Sequence, residues 1–146
     1  MISTLPEVYA ALADQIAVGL ANLDASYGEL QVVPRRWFNP TPPAIDMYPA
    51  DLAQEQMTFG FRGRDAFVTI RCRVTMADED AGQDLLLALS DTEGEASLMA
   101  ALASDSTLGG TVDNSTVEEQ LGFRVYEDVP GQGGYLGCEW RLRVVR

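Results

Sequence analysis

The sequence contains no lysine and no histidine, and all ten of its basic residues are arginine. These absences remove the usual general bases, the Ser/His and Cys/His nucleophile pairs and the Schiff-base lysine. An enzyme built on this chain would therefore be restricted to carboxylate, tyrosine or metal chemistry.

Cysteine is also scarce, and Cys72 and Cys138 are the only two. Each stands at an apolar position of an alternating, strand-like segment, which is typical of a small buried hydrophobe. A disulfide between them requires that their strands be neighbours. Two cysteines without histidine cannot complete a tetrahedral zinc site, and we expect no cofactor.

Long apolar runs are missing as well. No segment approaches the roughly 18 residues that span a bilayer, and the first residues, MISTLPEVYA, lack the basic end and apolar segment of a signal peptide. We therefore expect a soluble protein that is made in a cytoplasm and has no membrane partner. Its 146 residues, of which 47% are hydrophobic, are enough for a single domain over 1–146.

The middle third of the chain has no basic residue. None occurs between Arg73 and Arg124, whereas this interval contains eleven acidic residues, nearly the whole formal net charge of −12. Such a block repels a nucleic-acid backbone, so a DNA-reading module is disfavoured.

The hydrophobic pattern predicts an α+β domain. Thr4 and Glu7 have the spacing of a capping box, and apolar residues then recur every three or four positions up to Gly28, which predicts a first helix. Alternation over 66–76 and over 136–144 predicts two long strands, each with one buried face. A mixed or antiparallel sheet of about four or more strands is completed by extended segments at 30–38, 44–49, 111–118 and 123–127. Prolines at both ends of 44–49 suggest a short or edge strand.

Two short helices are predicted between the strands. Asp78 or Asp80 caps the first, which continues through Leu89, and Ser97 caps the second. The second belongs to the stretch SLMAALASDSTLGGTV, residues 97–112, which changes from helix to strand within a few residues. Gly109 and Gly110 supply the positive φ values that such a structural turn needs.

The acidic run Asp78-Glu79-Asp80 has two interpretations. With Asp84 it could serve a small carboxylate- or metal-dependent enzyme. It lacks the glycine and the distant glutamate of an EF-hand loop, however, and acids are favoured at a helix start in any case. We therefore interpret it as a helix cap and expect no metal site and no enzyme.

Four arginines, Arg71, Arg73, Arg141 and Arg143, fall opposite the core positions of the two long strands. If these strands are close in one sheet, four like charges share a face, which is unfavourable unless acids cover it. The alternative is an exposed face on which the side chains splay apart and are screened by salt.

In its order of elements and in four phrases, the chain resembles the tail terminator (minor tail) proteins of long-tailed bacteriophages, which are related in fold to the lambda-type terminator. The phrases are PPAI at 42–45, the strand 66–76 followed by an acidic helix, SLMAAL with TLGGTV, and Tyr135-Leu136-Gly137 opening the final strand. The similarity covers nearly the whole chain, which departs from the family pattern at 50–64 and in its acidic middle.

The resemblance implies a structural role. Tail terminators form a ring, commonly a hexamer, that caps the tail tube, halts its polymerisation and joins the tail to the head through the neck. The implied partners are further copies of the chain, the tube protein and a neck or stopper protein, while DNA passes through without specific binding. The implied location is the head-proximal end of the virion tail, after assembly in the host cytoplasm. The alternative is another head-to-tail connector, such as a stopper or a tube-like subunit.

Within such a ring we expect the arginine face of one subunit to meet the acidic helix of the next. The residues of this expected subunit interface are Arg71, Arg73, Arg141 and Arg143 on one side and Asp78, Asp80 and Asp84 on the other.

A second expected contact is a loop facing the tube or neck, mobile in the free subunit and ordered by that contact. Its residues are Met57, Phe59, Phe61, Arg62 and Arg64.

Overall fold

The computed structural model describes residues 3–23, 29–38, 40–50, 65–75, 79–126 and 134–146. In chain order the elements are α1 (Leu5–Gly19), β1 (Gln31–Val32), β2 (Ala44–Pro49), β3 (Asp65–Thr75), α2 (Glu79–Ser90), α3 (Leu98–Ala103), β4 (Asn114–Tyr126) and β5 (Tyr135–Val145). The sheet has the order β1-β2-β3-β5-β4, in which β1 and β2 are parallel and the other neighbours are antiparallel. The predicted α+β class is confirmed.

The first helix begins as predicted and ends earlier. Thr4 Oγ1 accepts a hydrogen bond from the Glu7 N–H at 3.3 Å, and the Glu7 carboxylate accepts one from the Thr4 N–H at 3.0 Å. The helix ends at Gly19, and residues 20–23 no longer belong to it. A Cβ on Gly19 would lie 2.6 Å from the Ala101 Cβ, so this glycine lets α1 and α3 pack closely.

β3 and β5 lie inside the sheet, and their apolar side chains alternate as predicted. The expectation of a single buried face is wrong for β3, because residues 68–74 are buried on both faces of the sheet. One face of these strands packs under the helices and forms much of the core, with Ala66, Val68, Ile70, Cys72, Val74, Cys138, Trp140, Leu142 and Val144. Cys72 lies directly opposite Cys138, so the strands of the two cysteines are neighbours. Both are buried free thiols, and burial raises the pKa of Cys138 to about 12.

β2 is a short strand of six residues, as its prolines suggested, but it does not lie at the edge of the sheet. β1 pairs with it in parallel, with Gln31 opposite Ala44. Pro42 and Pro43 precede the strand and Pro49 is its last residue, so the interior of its hydrogen-bond ladder contains no proline.

β4 is one continuous strand where two segments were expected. The register shifts between Val117 and Glu119 and again between Leu121 and Arg124, which marks two β-bulges. Bulges interrupt the alternation of side chains, and this explains why the sequence pattern divides the strand near Gly122. β4 pairs with β5 along one side, and no other strand in the described ranges pairs with it.

α2 and α3 cover the core face of the sheet. Their buried leucines are Leu85, Leu86, Leu89, Leu98 and Leu102. Ser97 Oγ accepts a hydrogen bond from the Ala100 N–H at 3.1 Å, which confirms the predicted cap of α3. α2 begins at Glu79, so Asp80 lies inside its first turn and does not cap it, while Asp78 lies outside the described residues. None of these helices has the length and apolarity needed to cross a bilayer.

The turn after α3 is organised by Asp105. Its Oδ1 accepts hydrogen bonds from the hydroxyl and the N–H of Thr107 at 2.6 and 3.0 Å, and its Oδ2 accepts one from the Gly109 N–H at 2.9 Å. These hydrogen bonds lower the pKa of the Asp105 carboxyl. Gly109 and Gly110 have φ values of +70° and +85°, as predicted, and Leu108 is also left-handed at +51°.

Gln15 connects this turn to the first helix. Its Nε2 lies 3.1, 3.0 and 2.9 Å from the carbonyl oxygens of Ala101, Leu102 and Asp105. The last carbonyl groups of a helix find no backbone N–H donor within the helix. The Gln15 side-chain amide, which comes from α1, supplies that donor and caps the end of α3.

Replacing both Gly109 and Gly110 by valine should destabilise the fold by about 2 to 5 kcal/mol, because β-branched residues resist positive φ. An added Cβ would meet nothing within 4 Å at either position, so the cost would arise in the backbone. Urea denaturation measures the loss. Gly122→Val is the matched control, since the space there is equally open and no positive φ is involved. Equal losses in the two variants would contradict the explanation.

Candidate functional site

The helices cover one face of the sheet, and the opposite face is the outer face. A buried polar cluster lies on this outer face. Its members come from β2, β3 and β5 at positions that alternate with the core residues. They are Asp46, Thr69, Arg71, Arg73 and Glu139. Buried polar groups are stable only when they are hydrogen-bonded or paired, so this face is organised by its internal contacts.

Asp46 is the centre of this cluster and its side chain is fully buried. Its Oδ1 accepts a hydrogen bond from Arg71 Nε at 3.0 Å, and its Oδ2 accepts from Arg71 Nη2 at 2.6 Å and Arg73 Nη2 at 3.1 Å. The Trp37 N–H donates to the same Oδ2 at 3.0 Å, and the Trp37 carbonyl accepts from Arg73. One carboxylate thus compensates two guanidinium groups and fixes the segment that follows β1.

Aromatic rings line the guanidinium groups of this face. Arg71 lies 5.0 Å from the centroid of the Tyr48 ring and 5.2 Å from that of Tyr126. Arg36 lies 4.8 Å from the same Tyr48 ring and 5.4 Å from that of Phe38. Cation–π contacts of this kind stabilise an arginine without a carboxylate. These rings and guanidinium groups form a row from the buried Arg71 to Phe38, whose side chain is 66% exposed.

Glu139 is a second centre on the same face. It accepts hydrogen bonds from the Tyr48 hydroxyl at 3.1 Å, the Tyr126 hydroxyl at 2.6 Å and Arg124 Nη1 at 2.9 Å. Burial acts to raise the pKa of the Glu139 carboxyl, but the hydrogen bonds from Tyr126, Tyr48 and Arg124 outweigh it and hold that pKa below its usual value. Burial also raises the pKa of Tyr48 to about 12, so its hydroxyl remains a donor at neutral pH.

Arg71 and Arg73 do not form a subunit interface in the way the sequence suggested. Both side chains are buried, and both are paired with Asp46 of their own chain. The expectation that these arginines need acids from a neighbouring subunit is wrong, because β2 lies beside β3 and supplies the carboxylate directly.

Arg141 and Arg143 also have partners within the chain. Arg141 Nη1 lies 2.9 Å from Glu119 Oε2, and Arg143 Nη2 lies 2.7 Å from Asp65 Oδ2. Their side chains are 37% and 47% exposed, so both stay accessible to a neighbour. A part in a subunit interface remains a prediction for these two arginines.

The acidic residues of α2 are separated from the arginines, as the sequence predicted. Asp80 and Asp84 are exposed, whereas the leucines on the other side of the helix are buried against the core. Asp78 lies outside the described residues. Among the residues that the structure describes, no group of three or more potential ligands could hold a metal ion.

The sequence also predicts a tube- or neck-facing loop. Its residues, Met57, Phe59, Phe61, Arg62 and Arg64, all lie outside the described ranges. That contact stays a prediction.

The sequence interpretation missed Asp46 and Arg36. The signal for Asp46 was a carboxylate inside the strand sequence AIDMYP, at the same parity as Ala44 and Tyr48. It was overlooked because the flanking prolines suggested a short or edge strand. Arg36 gave no comparable signal, because its contacts depend on how the segment after β1 folds back over β2.

Comparison with protein families and with curated proteins gives no match to any family or any curated protein.

Replacing Asp46 by asparagine should lower the free energy of unfolding by about 3 to 5 kcal/mol, because it removes the buried carboxylate charge that contacts both the Arg71 and the Arg73 guanidinium groups. Asp65→Asn is the matched control, since Asp65 also accepts from an arginine but that arginine is half-exposed. The control should cost about 1 kcal/mol or less. Chemical denaturation of both variants measures the difference, and equal losses would show that the Asp46 cluster is not what holds the outer face.

Replacing Glu139 by glutamine should destabilise the protein by about 2 kcal/mol at neutral pH, because three hydrogen bonds to a charged acceptor are weakened. The folded-state pKa of Glu139 is lowered, so its stabilisation is present above the unfolded-state value of about 4.3 and is lost as the pH falls through the folded value. The difference between wild type and variant should therefore shrink below about pH 4. Denaturation curves at several pH values measure it, with Glu119→Gln as the exposed control. A difference that persists unchanged to pH 2 would contradict the assignment.

Proposed function

We propose that the chain is the subunit of a ring that caps a bacteriophage tail tube, ends its polymerisation and joins the tail to the head. The phrases that resemble tail terminators support this proposal, because they fall at element boundaries of the fold. PPAI leads into β2, residues 97–112 comprise the cap of α3, the helix and its turn, and Tyr135 opens β5.

The observation that carries the proposal is the exposed edge strand β4. It has 13 residues, most of its side chains are exposed, and Phe123 and Val125 expose 40% and 57% of their surface. Within the described ranges β4 pairs only with β5, and a long edge strand with exposed apolar side chains is a template for association with another chain. A subunit of a closed ring needs such a surface, together with a different surface that accepts it.

The charge of the chain is compatible with the same role. A net charge of −12 in 146 residues repels the phosphates of DNA, so DNA would pass through a ring of such subunits without being held. The proposed partners are therefore other copies of the chain, the tube protein and a neck or stopper protein, at the head-proximal end of the tail.

Electron microscopy and sedimentation of the purified protein test the proposal, and the expected result is a ring with a central hole. Replacing Phe123 and Val125 together by glutamate should leave folded monomers, because carboxylates that are costly to bury would replace the apolar side chains that the contact covers. Val18→Glu is the control, since Val18 is 77% exposed but lies on α1, and this variant should still form rings. A wild-type protein that stays monomeric up to about 100 µM, where even micromolar contacts would be occupied, and does not cap tail tubes would overturn the proposal.

A further inference from the structure

Two oppositely charged residues at opposite edges of the sheet have no ionic partner among the described residues. Arg36 is exposed and contacts the Tyr48 and Phe38 rings, and no carboxylate in the described ranges pairs with it. Glu118 is exposed on β4, at the extra residue of the first bulge, and no arginine in the same ranges pairs with it. Its neighbour Glu119, in contrast, pairs with Arg141.

The strand register places these two residues at the same level of the sheet. Arg36 contacts Tyr48, which lies opposite Thr69. Thr69 lies opposite Arg141, and Arg141 lies opposite Glu119, next to the bulge at Glu118. A second copy that approaches edge to edge, without sliding along the strands, would therefore bring its Glu118 towards Arg36.

The two edges also match in apolar surface. Phe38 lies beside Arg36 and is 66% exposed, and β4 exposes Phe123 and Val125. Apolar and aromatic groups supply most of the affinity of an interface, whereas charged pairs fix its register.

We propose that Arg36 and Phe38 of one copy dock on the β4 edge of a second copy, with Arg36 pairing with Glu118. The inference rests on the proposed ring, and it identifies the two surfaces that meet in it. The contact joins different patches of identical subunits, so it is head-to-tail and can close into a ring.

A second copy is the occupant that the charges favour. The chain has 22 acidic residues against 10 arginines, and several of the arginines are already paired within the fold. An exposed arginine is therefore complementary to most of the surface of another copy, and the β4 edge is the acidic surface that shares its level in the sheet. A contact between two β4 edges would instead leave Arg36, at the opposite edge of the sheet, outside the interface.

A charge-swap experiment tests this contact. Arg36→Glu and Glu118→Arg should each weaken ring assembly at least about tenfold in subunit concentration, because each opposes two like charges. The double variant Arg36→Glu/Glu118→Arg should restore assembly to within about threefold of wild type, because it restores the pair with the charges exchanged. Sedimentation at low salt measures assembly, and thermal unfolding verifies that each variant is folded.

Two matched variants separate direct pairing from a general effect of charge. Arg35→Glu changes an exposed arginine beside Arg36, and it should weaken assembly much less. Combining Arg36→Glu with Glu93→Arg gives the same net charge as the double swap but alters an exposed acid of the loop after α2, and it should not restore rings.

The outcomes distinguish this inference from the proposed function. Rings of wild type that survive Arg36→Glu, or a double swap that fails to restore assembly, overturn the contact and leave the ring proposal standing. Rings that survive Arg36→Glu would also point to the tube or neck protein as the occupant of the Arg36 surface. A wild-type protein that forms no ring under any condition overturns both.

Discussion

The pairing of one buried carboxylate with two buried guanidinium groups is the constraint on which the outer face depends. Arg71 and Arg73 lie on the central strand β3, where removal from water costs several kcal/mol per charge unless a counter-charge is present. Asp46 supplies that counter-charge only if β2 lies beside β3 in the observed register. The order of the strands and the burial of these charges therefore require one another.

Glu139 has a similar part on the same outer face, closer to β4. Its hydrogen bonds reach Tyr48 on β2 and both Tyr126 and Arg124 on β4, so one carboxylate connects strands that are not neighbours. With Asp46 it turns the outer face into a small polar core, opposite the apolar core under the helices. Arg71, Arg73 and Glu139 each pair with an opposite charge in this network, and buried polar networks of this kind specify a single arrangement of the strands.

The sequence predicted the parts of the fold that depend on local pattern. Alternation identified β3 and β5, a capping box located the start of α1, and the glycine pair marked the left-handed turn. It did not predict the partner of the arginines, because Asp46 lies 25 residues before Arg71 and no local pattern relates them. The sequence also did not predict the two bulges of β4, because a bulge is defined by the pairing with the neighbouring strand β5 and not by local pattern. Predictions on 51–64 concern residues outside those described.

The internal pairing also limits how copies of the chain can associate. Once Arg71, Arg73, Arg124, Arg141 and Arg143 have partners within the fold, much of the exposed charge that is left is negative. A contact between the β4 edge of one copy and the opposite edge of another joins different surfaces of identical subunits. Such a contact closes into a ring or continues as a filament, depending on the rotation from one subunit to the next. The two bulges bend and twist β4, so the edge that a neighbour meets is curved, and a curved edge resists the flat, open-ended stacking of strands.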